Sequence, residues 1–361
     1  MEGDEARSVC EGEAEEIGGQ SGSFWLRRLP DAHKAENVSF GDHEAALRHA
    51  LAVLGTSGYT KFDAVGHRFV HGGPHLRDHA RLDAAVLDAL ECAVEYAPLH
   101  MPADLSVLKA VEKRLPGVPQ VVCFDTAFHR HMPDVSRTYA LPERVQKLGV
   151  ERYGFHGLSL ESIMRQLGRQ PGTVPKRLVA AHLGNGASVT AIRDGISIDT
   201  SMGMTPTGGV MMGTRCGDLD PGVMIYLSRH GYGKADDMER LCDHESGLFG
   251  ISGGTSDVRE LVRRRKTDAQ ADLALRMFCY QVQKTIAAMA AALGGIDALV
   301  FTGGIGEHAA EVRDEIRRGL SFLREIDVKV LPSLEDEQIC DDRCGAKLIW
   351  VAAIVQASRS D

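Results

Sequence analysis

The chain has 361 residues, with 41 Lys plus Arg against 50 Asp plus Glu and a formal net charge of −9 at pH 7. That balance excludes a nucleic-acid binder driven by overall positive charge, because neutralising phosphates needs clustered cations. A hydrophobic share of 43% and a charged share of 25% exclude a largely disordered or collagen-like chain, and the length allows about two domains.

Residues 1–23 are acidic and Gly-rich and read as an exposed start. Residues 41–54 carry Ala and Leu at helical spacing behind Asp42, a capping residue. A short apolar strand is expected over 63–70, ended by Gly72-Gly73-Pro74, and an amphipathic helix over 82–97, stopped by Pro98. The run 118–124 reads as a buried strand, and 133–152 as a linker and turn region. Strands follow at 178–182, 187–192 and 196–200, with Gly184-Asn185-Gly186 as one turn and Asp194-Gly195 as a hairpin signal. Residues 201–222 form a long Gly/Met/Thr/Pro loop, a length that points to function. A long helix over 271–293 is apolar on most faces and suits a core or a subunit interface. A buried strand at 297–302 then runs into Gly303-Gly304-Ile305-Gly306 and a charged helix over about 309–320. This alternation predicts a mixed α/β protein.

The longest near-continuous apolar run, 286–293, is far short of the ~20 residues of a bilayer span, so no membrane partner is expected. The start Met-Glu-Gly-Asp-Glu lacks the apolar core of a secretory or transit peptide. Of the eight cysteines only Cys340 and Cys344 lie close together. Reduced thiols in the cytoplasm fit better than a zinc site or a disulfide framework.

Three Gly-rich turns follow strands, at Gly72-Gly73, Gly184 to Gly186 and Gly303 to Gly306, each near a His or Arg. Bare backbone N–H groups can approach phosphate oxygens, so the set points to an anionic ligand. Gly304-Ile-Gly306-Glu-His-Ala309 also fits a dinucleotide turn, with Glu325 or Asp327 as the later acid, but that reading needs a second strand with little support in the sequence. Arg68 ends a strand, and Arg215 sits among glycines with nothing apolar nearby to pack its stem. Each suits an anion partner. His100 lies between Pro98 and Pro102, and His156 between Gly154 and Gly157, both in rigid loops. Asp125 ends the buried strand, where open α/β sheets place ligands.

These segments resemble the acetate kinase family. The run Leu178-Val-Ala-Ala-His182-Leu-Gly184-Asn185-Gly186-Ala-Ser188 is similar to a signature of that family. His67-Arg-Phe-Val-His-Gly-Gly73, Ala97-Pro-Leu-His100, Phe124-Asp-Thr-Ala-Phe-His129, Tyr153-Gly-Phe-His-Gly157, Met212-Gly-Thr-Arg-Cys-Gly217 and Phe301-Thr-Gly-Gly-Ile-Gly-Glu307 fall in the family's order. The resemblance implies the two-domain α/β fold shared by acetate and sugar kinases, Hsp70 chaperones and actin, with an N-terminal domain over 1–128 and a nucleotide-binding and dimerisation domain over 129–361. It implies reversible Mg2+-dependent phosphoryl transfer between ATP and acetate or propionate, giving an acyl phosphate and ADP, by a homodimer. By motif, Asp125, Arg68, Arg215, His156 and His100 would be catalytic. His182, Gly184, Asn185, Gly186, Asp257, Val258, Arg259, Gly303, Gly304, Ile305 and Gly306 would contact nucleotide. Val70, Leu99, Phe155 and Pro206, with Arg68, would hold the carboxylate substrate. No protein metal ligand is assigned. The family's N-terminal Asn-x-Gly-Ser-Ser-Ser motif has no counterpart, residues 349–359 stand where Thr-x-Glu-Glu is expected, and Leu160 replaces a common His. The alternative is therefore a catalytically weak relative that binds nucleotide.

Overall fold

A computed structural model describes residues 10–28, 35–98, 100–169, 172–323, 326–341 and 348–351. The chain forms two compact units, residues 1–127 with 334–361 and residues 128–333.

The first unit holds two sheets. β1 (Cys10–Glu15), β2 (Ser23–Arg28) and β3 (Glu36–Asn37) form an antiparallel sheet in that order. Within the 1–23 stretch expected as an exposed start, residues from Cys10 on form a hairpin with β2, pinned by one buried side chain. The anchor is Phe24, which is buried edge-on to Phe40 and backed by Ala46 of the helix His43–Thr56. Asp42 caps that helix by accepting the Ala45 N–H.

The second sheet has the order β12-β4-β6-β5, from β12 (Leu348–Val351), β4 (Ala64–Phe69), β6 (Gln120–Phe124) and β5 (Ala80–Arg81). β4 runs parallel to both β12 and β6, while β5 is antiparallel to β6. The expected 82–97 helix is Ala84–Ala93, capped by Asp83, with a 3-10 turn Val94–Tyr96. The helix Met101–Arg114 covers the sheet. Leu108 and Met101 are buried with Phe69 and Phe124 in one core, and Val107 and Val111 with Val65 in another.

The second unit is built on a five-stranded sheet, order β11-β10-β7-β8-β9. Its strands are β7 (Arg177–Leu183), β8 (Ala187–Arg193), β9 (Ile196–Thr200), β10 (Ala298–Thr302) and β11 (Asp327–Val330). β7, β8 and β9 form the expected meander, and β10 lies parallel to both β7 and β11. Asp194 and Gly195 both have positive φ, as a tight two-residue hairpin turn requires. The helix Ala269–Leu293 starts at Asp268, which accepts the Gln270 and Ala271 N–H groups, and stops at Gly294 with φ +71°. Leu275, Phe278, Val282 and Ile286 bury one face of it, while Leu273 and Tyr280 stay exposed. The stretch 133–152 contains two single-turn helices, Asp134–Arg137 and Glu143–Gln146. The loop after β9 has no regular element until Pro221–Ser228, and Met202, Met211 and Met212 fill the space beneath it.

Candidate active site

In the first unit the functional side chains gather where β4 and β6 end. The parallel register sets Arg68 beside Cys123 and Phe69 beside Phe124. The Asp125 N–H then donates to the Phe69 carbonyl at 3.0 Å, which carries the Asp125 side chain to Arg68. Arg68 grips both carboxylate oxygens, Nε to Oδ1 at 3.0 Å and Nη2 to Oδ2 at 2.8 Å. This two-pronged geometry is the strong form of an ion pair. Arg68 Nη1 also stands 3.3 Å from Glu335. Burial works against the charge on Arg68, but Asp125 and Glu335 outweigh it and hold the guanidinium protonated.

Two further acids face this cluster. Burial, with Asp125 adding, pushes the Asp104 carboxyl well above the usual range despite Arg68 and a hydrogen bond from the Val70 backbone. Burial and the neighbouring Glu335 push Asp336 up to about 6. The sequence reading assigned no role to Asp104 or Glu335. Asp104 sits in the first turn of the helix Met101–Arg114, whose N-cap position is His100. Glu335 starts the helix Glu335–Asp341. Val70 follows β4 and packs on the core around Phe69. Leu99 lies outside the described residues.

In the second unit the site is built around two turns. His182, one residue before the end of β7, pairs in register with Ser188 of β8, across the Gly184 to Gly186 turn. His156 stacks on His182, with ring centroids 4.1 Å apart and planes 18° off parallel. His156 Nδ1 is hydrogen-bonded to Ser188 Oγ at 2.9 Å. His182 Nδ1 is bonded to Ser159 Oγ at 2.9 Å, and Ser333 Oγ donates to Ser159 Oγ at 3.0 Å.

Glycines keep this surface bare. A methyl group at Gly186 would stand 3.1 Å from His156 Nε2 and 3.3 Å from Arg215 Nη1, so both side chains converge on that turn. A methyl at Gly303 would stand 3.1 Å from His182 Nε2, and Gly303 has φ +76°, which favours glycine. Gly304 faces open space. Glu307 holds the second turn by accepting the N–H groups of Gly303 and Ser333 at 3.1 and 3.0 Å. The turn continues through Ile305 and Gly306 into the short helix Gly303–His308.

Arg215 has no carboxylate within ion-pair reach among the described residues. Its guanidinium meets only the Pro206 carbonyl at 3.4 Å and Met212 Sδ at 3.9 Å. Burial lowers its pKa, partly offset by Asp243. A half-buried guanidinium without a counter-charge is costly unless an anion completes it.

Phe155 is buried immediately before His156. Asp257 caps the helix Val258–Arg264, accepts the Arg259 N–H, and is gripped by the Arg259 side chain at 3.1 and 3.0 Å. Val258 is buried beneath them. The dinucleotide reading does gain its second strand, since β11 is parallel to β10. Of its two candidate acids, Asp327 opens β11 and Glu325 lies outside the described residues.

The sequence model of the Acetokinase family matches residues 3–347. The chain belongs to the acetokinase family. It is 42% identical over 296 residues to the acetate kinase of Bacillus subtilis, covering 80% of this chain and 75% of that protein. It is 42% identical over 334 residues to the acetate kinase of Syntrophobacter fumaroxidans, covering 89% and 81%. Among solved structures it superposes on Porphyromonas gingivalis acetate kinase with TM-score 0.83 at 35% identity, and on a Francisella tularensis propionate kinase with TM-score 0.87 at 32% identity. Each superposition covers 92% of both chains. The fold is therefore the α/β fold of acetate and sugar kinases, Hsp70 and actin, and family membership makes the chain a phosphotransferase. That replaces the dinucleotide reading of the 303–306 turn.

Proposed function

We propose that this chain is an acetate kinase that moves the terminal phosphoryl group of ATP to acetate, reversibly, giving acetyl phosphate and ADP. The observation that carries the reading is Arg215, a guanidinium without a carboxylate partner among the described residues, which converges with His156 on the bare Gly186 turn.

A phosphoryl group in transit spreads negative charge over three oxygens, so catalysis is mainly positioning and charge stabilisation. Arg215 supplies fixed positive charge, and His156 presents Nε2 from a ring held at its other nitrogen by Ser188. His182 directs Nε2 toward Gly303 while Ser159 holds Nδ1. Asn185, Gly184, Gly186, Gly303 and Gly304 take the phosphates. Ile305, Gly306, Asp257, Val258 and Arg259 are assigned to the nucleoside side. Acetate is already an anion and needs no strong base. We assign its carboxylate to Arg68, whose Nη1 is held more loosely, at 3.3 Å by Glu335, than the two nitrogens on Asp125. By the family motifs we assign His100 to the support of that site and Val70, Leu99, Phe155 and Pro206 to the methyl group.

Bound Mg2+ would neutralise charge on the phosphate oxygens. Among the described residues no three His, Cys, Asp or Glu cluster to cage a metal. Mg2+ keeps several waters and takes one or two carboxylates beside substrate phosphates. Asp125 and Glu335 are the carboxylates that fit. Ser333-Leu334-Glu335-Asp336, following β11, then serves in place of Thr-x-Glu-Glu, a motif expected from the sequence at 349–359 and without a match there. We also propose a cytoplasmic homodimer. No described helix is long and apolar enough to cross a membrane. The helix Pro221–Ser228 has no buried residue and, with Leu219 before it, exposes Val223, Ile225 and Tyr226, an apolar face suited to a second copy.

The test is hydroxylamine trapping of acyl phosphate from MgATP with acetate or propionate. Propionate is included because a propionate kinase superposes so well. One methylene is worth only about 1–3 kcal/mol of discrimination. Turnover is expected in the wild type, and Arg215→Ala should lower it by about 10²-fold or more. A folded, nucleotide-binding chain that makes no acyl phosphate would overturn the kinase reading in favour of a binding-only relative.

A further inference from the structure

We propose that His129 is a positioning residue that clamps the Phe155 carbonyl and so holds His156 in its working conformation. This rests on the role given above to His156. His129 closes the motif Phe124-Asp-Thr-Ala-Phe-His129, and the reaction itself gives it no part.

His156 has φ +61° and ψ 25°, a left-handed conformation sparsely used by residues other than glycine. Such a residue persists only where its surroundings over-determine it. The side chain is held by Ser188 Oγ at 2.9 Å and by the stack on His182. The backbone immediately before it is held by His129, whose Nε2 lies 3.0 Å from the Phe155 carbonyl. A carbonyl only accepts, so Nε2 carries the proton and donates. His129 Nδ1, 2.8 Å from Ser197 Oγ, then accepts from that hydroxyl. Both ring nitrogens are thus committed, and the tautomer is fixed from β9.

Burial supports this arrangement. His129 is 2% exposed and Ser197 fully buried. Burial pushes the His129 pKa down to about 4, against the Phe155 hydrogen bond, so the ring is neutral at pH 7 and keeps the single tautomer. The backbone also leaves the ring no slack. Gly154 has φ +74°, and a methyl there would stand 2.6 Å from the His129 ring and 2.7 Å from Thr200. The N–H groups of Tyr153 and Gly154 both donate to the Gly203 carbonyl, at 3.1 and 3.2 Å. The 153–156 segment is pinned between that carbonyl and the His129 ring. Losing the Nε2 donor frees the Phe155 peptide to turn and His156 to leave the left-handed region, moving its ring away from the Gly186 turn.

The experiment compares His129→Phe, which fills the space without donating, with His129→Gln, whose amide N–H can reach the Phe155 carbonyl. Steady-state acyl phosphate formation and nitrogen-15 spectra of the histidine rings are recorded for each. His129→Phe is expected to lower kcat about 10- to 100-fold, the scale of a small displacement of a reacting group, with KM for acetate and ATP within about 3-fold of wild type. The His156 ring signals should shift in His129→Phe and return, with most of kcat, in His129→Gln. Unmoved His156 signals in His129→Phe overturn the proposal, as does an equal loss of kcat in both variants. Should His129→Phe fail to fold, Ser197→Ala carries the test, because it removes the group that fixes the tautomer. A His156 spectrum and kcat unchanged by Ser197→Ala overturn the proposal. The ring spectra read out in a chain without turnover as well, so failure of the kinase reading is distinguishable from failure of the clamp.

Discussion

At the scale of single residues, two glycines of the turns proposed to take phosphate differ in what they avoid. Gly186 stays outside the left-handed region, and a methyl there would press on the ends of His156 and Arg215, two side chains that can shift. Gly303 combines φ +76° with a backbone contact, since a methyl would lie 2.8 Å from the Leu183 carbonyl. Gly186→Ala should therefore fold as the wild type does and bind MgADP about 10-fold or more weakly, because its methyl crowds the two groups that receive phosphate. Gly303→Ala should lose about 1–3 kcal/mol of stability from backbone strain. Calorimetric titration with thermal melts separates the two, and undiminished MgADP affinity in Gly186→Ala would remove that turn from the site. Both glycine turns are visible in the sequence, following strands. What the sequence does not carry is which side chains face them, because the His156–His182 stack joins a loop to a strand 26 residues away.

At the scale of elements, the parallel pair β4 and β6 carries the Arg68–Asp125 clamp and a buried polar bridge. His67 Nε2 donates to Gln120 Oε1 at 2.7 Å across the two strands. Burial pushes the His67 pKa down to about 4, against that hydrogen bond. An unfolded histidine titrates near 6.5. Above that pH neither state takes up the proton and the fold keeps its full stability. Between about 6.5 and 4 only the unfolded chain binds it, so stability falls as pH falls. The contribution is about 2 kcal/mol between pH 7 and 5 for His67, and His129 acts in the same direction in the other unit. His67→Gln keeps a donor for Gln120 and does not titrate. Its urea-unfolding free energy should depend less on pH than that of the wild type over this range. Equal slopes would show that His67 protonates freely within the fold. The strands themselves are legible as apolar runs, and the bridge is not, since it depends on a register between residues 53 apart.

At the scale of the whole molecule, the exposed apolar face at Leu219, Val223, Ile225 and Tyr226 leads to a test of the homodimer. Replacing Ile225 and Tyr226 together by Glu should convert a sedimenting dimer to a monomer and leave the thermal melt of the dilute protein nearly unchanged. A wild-type monomer at micromolar concentration would end the dimer proposal. The sequence drew attention to the helix Ala269–Leu293 as core or interface, and its buried face serves as core. The division at 128/129 likewise left the C-terminal stretch with the second unit, whereas the first unit includes 334–361, with Leu348–Val351 pairing beside Ala64–His67. The sequence by itself determined what local chemistry dictates. Asp42, Asp83 and Asp268 cap helices, Asp194-Gly195 turns a hairpin, and unbroken apolar runs become the buried strands β6, β7 and β10. It also carried the motifs of the family. Only the tertiary structure decided which charges are matched. It gave Arg68 to Asp125 and Glu335, and left Arg215 without a carboxylate within ion-pair reach among the described residues. It also anchored the 10–28 hairpin through the buried Phe24 and returned Glu335 to the end of β4. The physical reason is common to these cases. Caps, turns and apolar runs act over a few residues, while ion pairing and burial depend on strand register and packing between segments far apart in the chain.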